Sequence, residues 1–199
     1  MATLPIYLYG SDVLRQKAKP VKELDNATIK LIYDMFETME KAHGIGLAAT
    51  QVGEIKRVIV MDVTAAEEAK EGEVPESEIK PRENSSKPKR FVLINPEVLH
   101  ASGSSVIEEG CLSIPDVRSE VARAERVTVR YRNANFEEMT VEASGLLGRV
   151  ILHEIDHLNG ILFIDHISGA KKTLLRAKLR KVKNGEVETS YPVVTAVEV

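Results

Sequence analysis

Two histidines and a glutamate stand in the order His153-Glu154-Ile155-Asp156-His157, an HExxH motif inside a segment of helical apolar spacing. On a helix, positions i and i+4 share a face, so both imidazoles reach a single metal ion. Glu154, one residue after the first histidine, then lies beside a water on that ion and takes its proton. The chemistry implied is metal-assisted hydrolysis. The rival is two polar residues on an ordinary helix, since so short a pattern also recurs without a metal.

A hydrolytic zinc or iron site needs a third protein ligand and an open position. A metzincin pattern would put a third histidine at 163; Gly160 matches its glycine, but Phe163 occupies the ligand position. A thermolysin-like site would take a glutamate farther on, where Leu175-Arg176-Ala177-Lys178 offers none. Upstream lies the only cysteine, in Glu109-Gly110-Cys111-Leu112-Ser113. By itself a lone cysteine reads as a small buried hydrophobe, and a nucleophile with His153 as its base is a further alternative. Beside HExxH, with no ligand downstream, Cys111 is favoured as third ligand. A thiolate with two imidazoles suits Zn(II), Fe(II), Co(II) or Ni(II).

A third stretch, Gly44-Ile45-Gly46-Leu47-Ala48-Ala49-Thr50-Gln51-Val52-Gly53, lets a peptide backbone approach closely. It lacks the GK[ST] of a phosphate loop, and Ala49 breaks GxGxxG spacing. Gln51 offers an amide donor to a developing oxyanion. Alone, the stretch also reads as a glycine-rich turn leading to the next strand.

These residues need elements to hold them. Ile29, Ile32, Met35, Phe36 and Met39 predict a helix over 26–42, capped by Asp25 or Asn26 and ended by Gly44. Residues 57–62 read as a strand, as do stretches near 91–94, 104–109, 119–123, 126–132 and 136–142. Asn133-Ala134-Asn135 marks a hairpin between the last two. Gly145 precedes a helix over 146–159, in which Leu147, Ile151, Ile155 and Leu158 form the anchoring stripe. A basic helix spans 168–183, and a tail, 184–199, ends in a strand-like 191–197. Consecutive strands with few helices predict an α+β fold: antiparallel sheets around the HExxH helix, with an N-terminal and a C-terminal helix.

The 199 residues suit one domain, 1–199. Within it, 64–90 is dense in Glu, Lys, Pro and Ser and reads as a charged surface insertion. One cysteine excludes an intrachain disulfide and suits a reducing compartment. No secretory leader or membrane-length apolar run is visible, so a cytoplasmic protein is expected. Absent Trp and sparse aromatics argue against a base-stacking surface, and neither DNA nor a membrane is an expected partner. The net charge of −3 is uneven: residues 171–183 hold seven of the 27 basic residues and no acid. That block is an anion-binding handle or, more ordinarily, a solvated helix face.

GIGLAATQVG, EEGCLSIP and HEIDHLNG, in that order, resemble the three motifs of the peptide deformylases, and YGSDVLRQKAKPV resembles that family's N-terminal region. The resemblance covers about residues 5–180. It implies hydrolysis of the N-terminal formyl group of formylmethionyl nascent peptides by a monomer holding one divalent ion, physiologically Fe(II). By the same resemblance Cys111, His153 and His157 hold the ion and Glu154 is the general base and later the proton donor. Gln51 and the Leu112 N–H meet the oxyanion, and Gly46 supplies main-chain hydrogen bonding. Ile45, Gly110, Leu146, Arg149 and Val150 are expected along the methionine pocket, with the Arg149 guanidinium in solvent. Arg118 contacts substrate or pairs with Glu109 or Glu120. The 168–183 helix resembles one used for ribosome docking, although the tail after it departs from that pattern. A metallo-endopeptidase and a non-enzymatic metal or redox sensor are the rivals; intact Glu154 speaks against the sensor, the missing downstream ligand against the peptidase.

Overall fold

The computed structural model describes residues 2–64 and 90–196. Most of the charged segment expected at 64–90 therefore lies outside the described residues. The elements are β1 (Ile6–Tyr7), α1 (Asn26–Lys41), β2 (Gly46–Ala48), β3 (Val58–Asp62), β4 (Arg90–Ser102), β5 (Ser105–Cys111), β6 (Ile114–Arg123), β7 (Arg126–Arg132), β8 (Glu138–Ser144), α2 (Gly145–Leu158), α3 (Gly169–Lys183) and β9 (Val193–Val194).

An antiparallel sheet runs in the order β2-β3-β4-β7-β8, and β5 pairs with β6 as a separate hairpin. The short β1 and β9 pair in parallel. The apolar run of β3 is continuous because both sheet faces are covered. Ile59 and Met61 pack with Val150, Ile151, Ile155 and Leu158 of α2. Val58 and Val60 point the other way, onto Leu31, Ile32, Met35 and Met39 of α1. The HExxH helix thus lies between the sheet and the β5–β6 hairpin, and the α+β architecture matches the expectation.

Local chemistry sets the helix ends. The Asp25 carboxylate accepts the Thr28 N–H at 2.7 Å. At the other end, His43 rather than Gly44 takes the left-handed conformation (φ 54°), and the Gly44 N–H returns to the Met39 carbonyl at 2.9 Å. Gly44 is needed for a different reason: a Cβ there would sit 2.7 Å from Leu112 Cδ1. The buried face of α1 is also rotated from the expected one, with Leu31 inside and Ile29 partly exposed.

Several strands differ from expectation, among them β6, which starts at Ile114 rather than near 119, and β9, which is only Val193–Val194. β4 continues to Ser102 through Asn95 (φ 53°) and Pro96, where the register against β7 shifts. Proline is tolerated at such a bulge, and it hides the strand signal. β8 begins at Glu138, two residues late, because the hairpin turn spans 133–137, with Asn133 Oδ1 accepting the N–H groups of Asn135 and Glu137. The glycine-rich Gly46–Ala48 is itself an edge strand on β3.

Candidate active site

Cys111 ends β5, while His153 and His157 lie one turn apart on α2. One ligand atom from each lies within 4.8 Å of the other two. Cys111 Sγ is 3.1 Å from His157 Nε2. The two rings meet edge to face with centroids 5.0 Å apart. Phe163, where a metzincin would have its third histidine, stacks on His153 at 6.3 Å.

The electrostatics favour a cation at this cluster. Burial disfavours charge on His153, but contacts with Cys111 and Glu109 outweigh it and raise its pKa to about 10. His157 is held well below its usual range by burial and by the neighbouring His153 charge, leaving a neutral ring with a lone pair to give. One soft sulfur and two imidazole nitrogens within reach of a common point fit Zn(II) or Fe(II) as a donor set.

Glu154 is buried beside the cluster, and its Oε2 has no hydrogen-bond partner among the described residues. Burial pushes its carboxyl up to about 7. Oε1 lies against β2, where a Cβ on Gly46 would come within 2.6 Å of it. Glycine at 46 is what lets the strand approach the carboxylate so closely. Gln51 is fixed from both ends: its Oε1 accepts the Ala48 N–H at 2.8 Å, and its Nε2 donates to Ser113 Oγ at 3.2 Å, 3.6 Å from Cys111 Sγ.

Sequence reasoning passed over the support beneath His153. Glu109 Oε2 lies 2.9 Å from His153 Nδ1, leaving Nε2 for an ion. The same carboxylate takes two bonds from Arg123, at 2.7 and 3.0 Å, and one from Arg149 at 2.9 Å. Arg123 also reaches Asp156 at 2.5 Å, and Asp156 reaches His166 at 2.6 Å. Burial alone would raise the Glu109 carboxyl; bonds from His153 and Arg123 overcome this and keep it ionised. The available signal was parity, since Glu109 is two residues before Cys111 and alternate strand residues share a face.

A cleft of about 650 Å³ opens over the cluster. Ile45, Gly46, Gln51, Gly110, Cys111, Leu112, Arg118, Leu146, Arg149, Val150, His153 and Glu154 all line it; His157 lies behind them, buried. The expectation for the Arg149 head group is corrected. Its guanidinium turns inward to Glu109, the Val121 carbonyl and Ser105, because that buried carboxylate and those carbonyls offer it full pairing. Arg118 is exposed on the cleft rim; Glu109 is engaged by Arg123 and Arg149, and Glu120 by Lys171. From the far side, Tyr191 donates to the Leu112 carbonyl at 2.8 Å. Burial pushes its phenol up to about 12, so it remains a donor.

The polypeptide deformylase family model matches residues 3–173. The chain belongs to the peptide deformylase family. A peptide deformylase of Salinibacter ruber is 50% identical over 196 residues, covering 96% of this chain and 94% of the relative. The crystal structure of a peptide deformylase from Legionella pneumophila superimposes with a TM-score of 0.78 at 36% identity, covering 93% and 98% of the two chains. That of Ehrlichia chaffeensis peptide deformylase in complex with actinonin gives 0.76 at 35% identity, covering 94% and 100%. The chain is accordingly a deformylase, a hydrolase that removes the formyl group from nascent peptides. Metal dependence is a property of the family, and the Cys/His cluster is where this chain would express it.

Proposed function

We propose that deformylation is carried out by Glu154, Gln51 and Leu112 around an ion held by Cys111, His153 and His157, physiologically Fe(II). The ion would supply Lewis acidity, polarising the formyl carbonyl and lowering the pKa of water toward neutrality. Glu154 takes a proton from the attacking water and returns it to the departing amine, so that water and the formyl peptide become formate and a free N-terminus. In the ion-free fold burial raises this carboxyl to about 7, which brings it toward the range in which a group both accepts and releases protons at neutral pH. Gln51 Nε2 and the Leu112 N–H donate to the formyl oxygen as it gains charge; both are held before substrate arrives, so little reorganisation is needed. Ile45, Leu146 and Val150 give the methionine side chain an apolar wall, and Gly46 and Gly110 leave room for its backbone. Arg149 acts from beneath this wall, through Glu109.

The observation that carries this reading is the unpartnered Glu154 oxygen beside three convergent soft and borderline donors. The test is formate release from formyl-Met-Ala-Ser by anaerobically prepared, Fe(II)-loaded protein, with Glu154→Ala as control. Release is expected from the wild type and its loss, by on the order of a hundredfold or more, from a variant that keeps its ion. No release from the loaded wild type would sink the reading.

No helix among the described residues is long and apolar enough to cross a membrane. The single cysteine, which suits a reducing compartment, supports a cytoplasmic place for this work on emerging chains. The exposed lysines and arginines of α3 border a second cavity, about 440 Å³, and support docking to the ribosome through that face.

A further inference from the structure

The turn that presents Leu112 is tied to the end of the chain. Cys111 and Ile114 pair across the β5–β6 hairpin, leaving Leu112 and Ser113 as a two-residue turn. Three bonds hold this turn. Tyr191 donates to the Leu112 carbonyl at 2.8 Å, the Tyr9 N–H to the Ser113 carbonyl at 2.8 Å, and Gln51 to Ser113 Oγ at 3.2 Å. Tyr9 lies just beyond β1 and Tyr191 just before β9, and these strands pair with each other. The Ile6 N–H reaches Pro192 O and the Leu8 N–H reaches Val194 O, both at 2.9 Å. Both ends of the chain therefore close on one turn, and Glu188, Thr189, Ser190 and Tyr191 form a wall of the cleft.

Tyr191 fixes the Leu112 carbonyl and the Tyr9 N–H fixes the Ser113 carbonyl, so both carbonyls of the turn are tied to the paired strands β1 and β9. Without the Tyr191 bond the turn is held on Ser113 alone and can shift as a body, carrying with it the Leu112 N–H and the Ser113 hydroxyl that fixes Gln51. We propose that Tyr191 is a positioning residue, whose hydroxyl pins the Leu112–Ser113 turn and so keeps the Leu112 N–H and Gln51 aimed at one point in the cleft. The tail after α3 then belongs to the active site rather than hanging from it. This inference deepens the preceding functional reading and rests on it.

Tyr191→Phe deletes one oxygen and keeps the ring packed beside Leu112. With the Fe(II)-loaded protein and formyl-Met-Ala-Ser, kcat is expected to fall about fivefold, the worth of one hydrogen bond, with KM changed less than about twofold. Iron content should be unchanged. Independently of activity, 15N relaxation dispersion at Leu112 and Ser113 should be flat in the wild type and show exchange in the variant. A merely structural role would lower the melting temperature and leave kcat intact; an unchanged kcat overturns the proposal. Should the wild type itself release no formate, the functional reading fails instead, and dispersion alone decides whether Tyr191 holds the turn.

Discussion

Helices α2 and α3 follow one another in the chain and treat charge in opposite ways. In α2, Arg149, His153, Glu154 and His157 are buried, and each ionic group except Glu154 and the neutral His157 meets a partner through Glu109. In α3 only Leu179 and Val182 are buried, and its lysines and arginines face outward. Lys171 pairs with Glu120 at 2.8 Å, but both ends are exposed. Desolvated ions interact strongly and are costly to leave alone, whereas solvated pairs trade water for a partner at little net gain. Sequence charge counts therefore say nothing of energetic weight. The α2 charges hold a site together; those of α3 are available to something outside the molecule.

The comparison breaks most sharply at Glu109. Glu109→Gln leaves Arg123 and Arg149 short of a buried counter-ion and loosens His153. A loss of about 3–5 kcal/mol by urea unfolding is expected. Metal affinity, measured by competition with a chelator, should weaken on the order of 10–100-fold. If neither changes, the buried network has no special weight.

Glu154 gives the next largest effect, with opposite sign. Its pKa is raised from 4.5 to about 7 in the ion-free fold, so the folded state binds its proton more tightly than the unfolded one. Stability from this group falls as pH rises between those values and is fully lost above about 7. Glu154→Gln removes that dependence. The metal-free variant should exceed the wild type by up to about 3 kcal/mol at pH 8, and the difference should vanish near pH 4.5. Equal melting temperatures at pH 8 would show that the carboxylate is solvated after all.

The smallest stability effect belongs to α3. Neutralising Lys171, Lys172, Arg176, Lys178 and Arg180 together should move the melting temperature least of the three, because these groups are mostly exposed. The same variant should lose co-sedimentation with ribosomes. Retained co-sedimentation refutes docking through this face.

What could be read in advance follows the range of the forces involved. HExxH spacing, the lone Cys111 and Gln51 in its glycine-rich frame are local patterns, and each named its residues. The α1 and α2 stripes and the β7 boundaries are local too, so helix and strand positions were legible to within a few residues. Where a bulge at Asn95-Pro96 or the bonding of Asn133 intervened, the boundary moved, because those choices depend on a partner strand or a side-chain bond that periodicity does not register.

By itself, the sequence determined the family through its three motifs and, through that resemblance, the reaction and the candidate ligands; spacing alone named only His153 and His157, because one helix face sets their distance. Only the tertiary structure decided that Glu109 supports His153, that Arg149 turns inward, and that Tyr191 reaches the Leu112 carbonyl from 79 positions along the chain. Those contacts join residues far apart in the chain. Their partners are selected by which polar atoms remain unsatisfied once the core has closed.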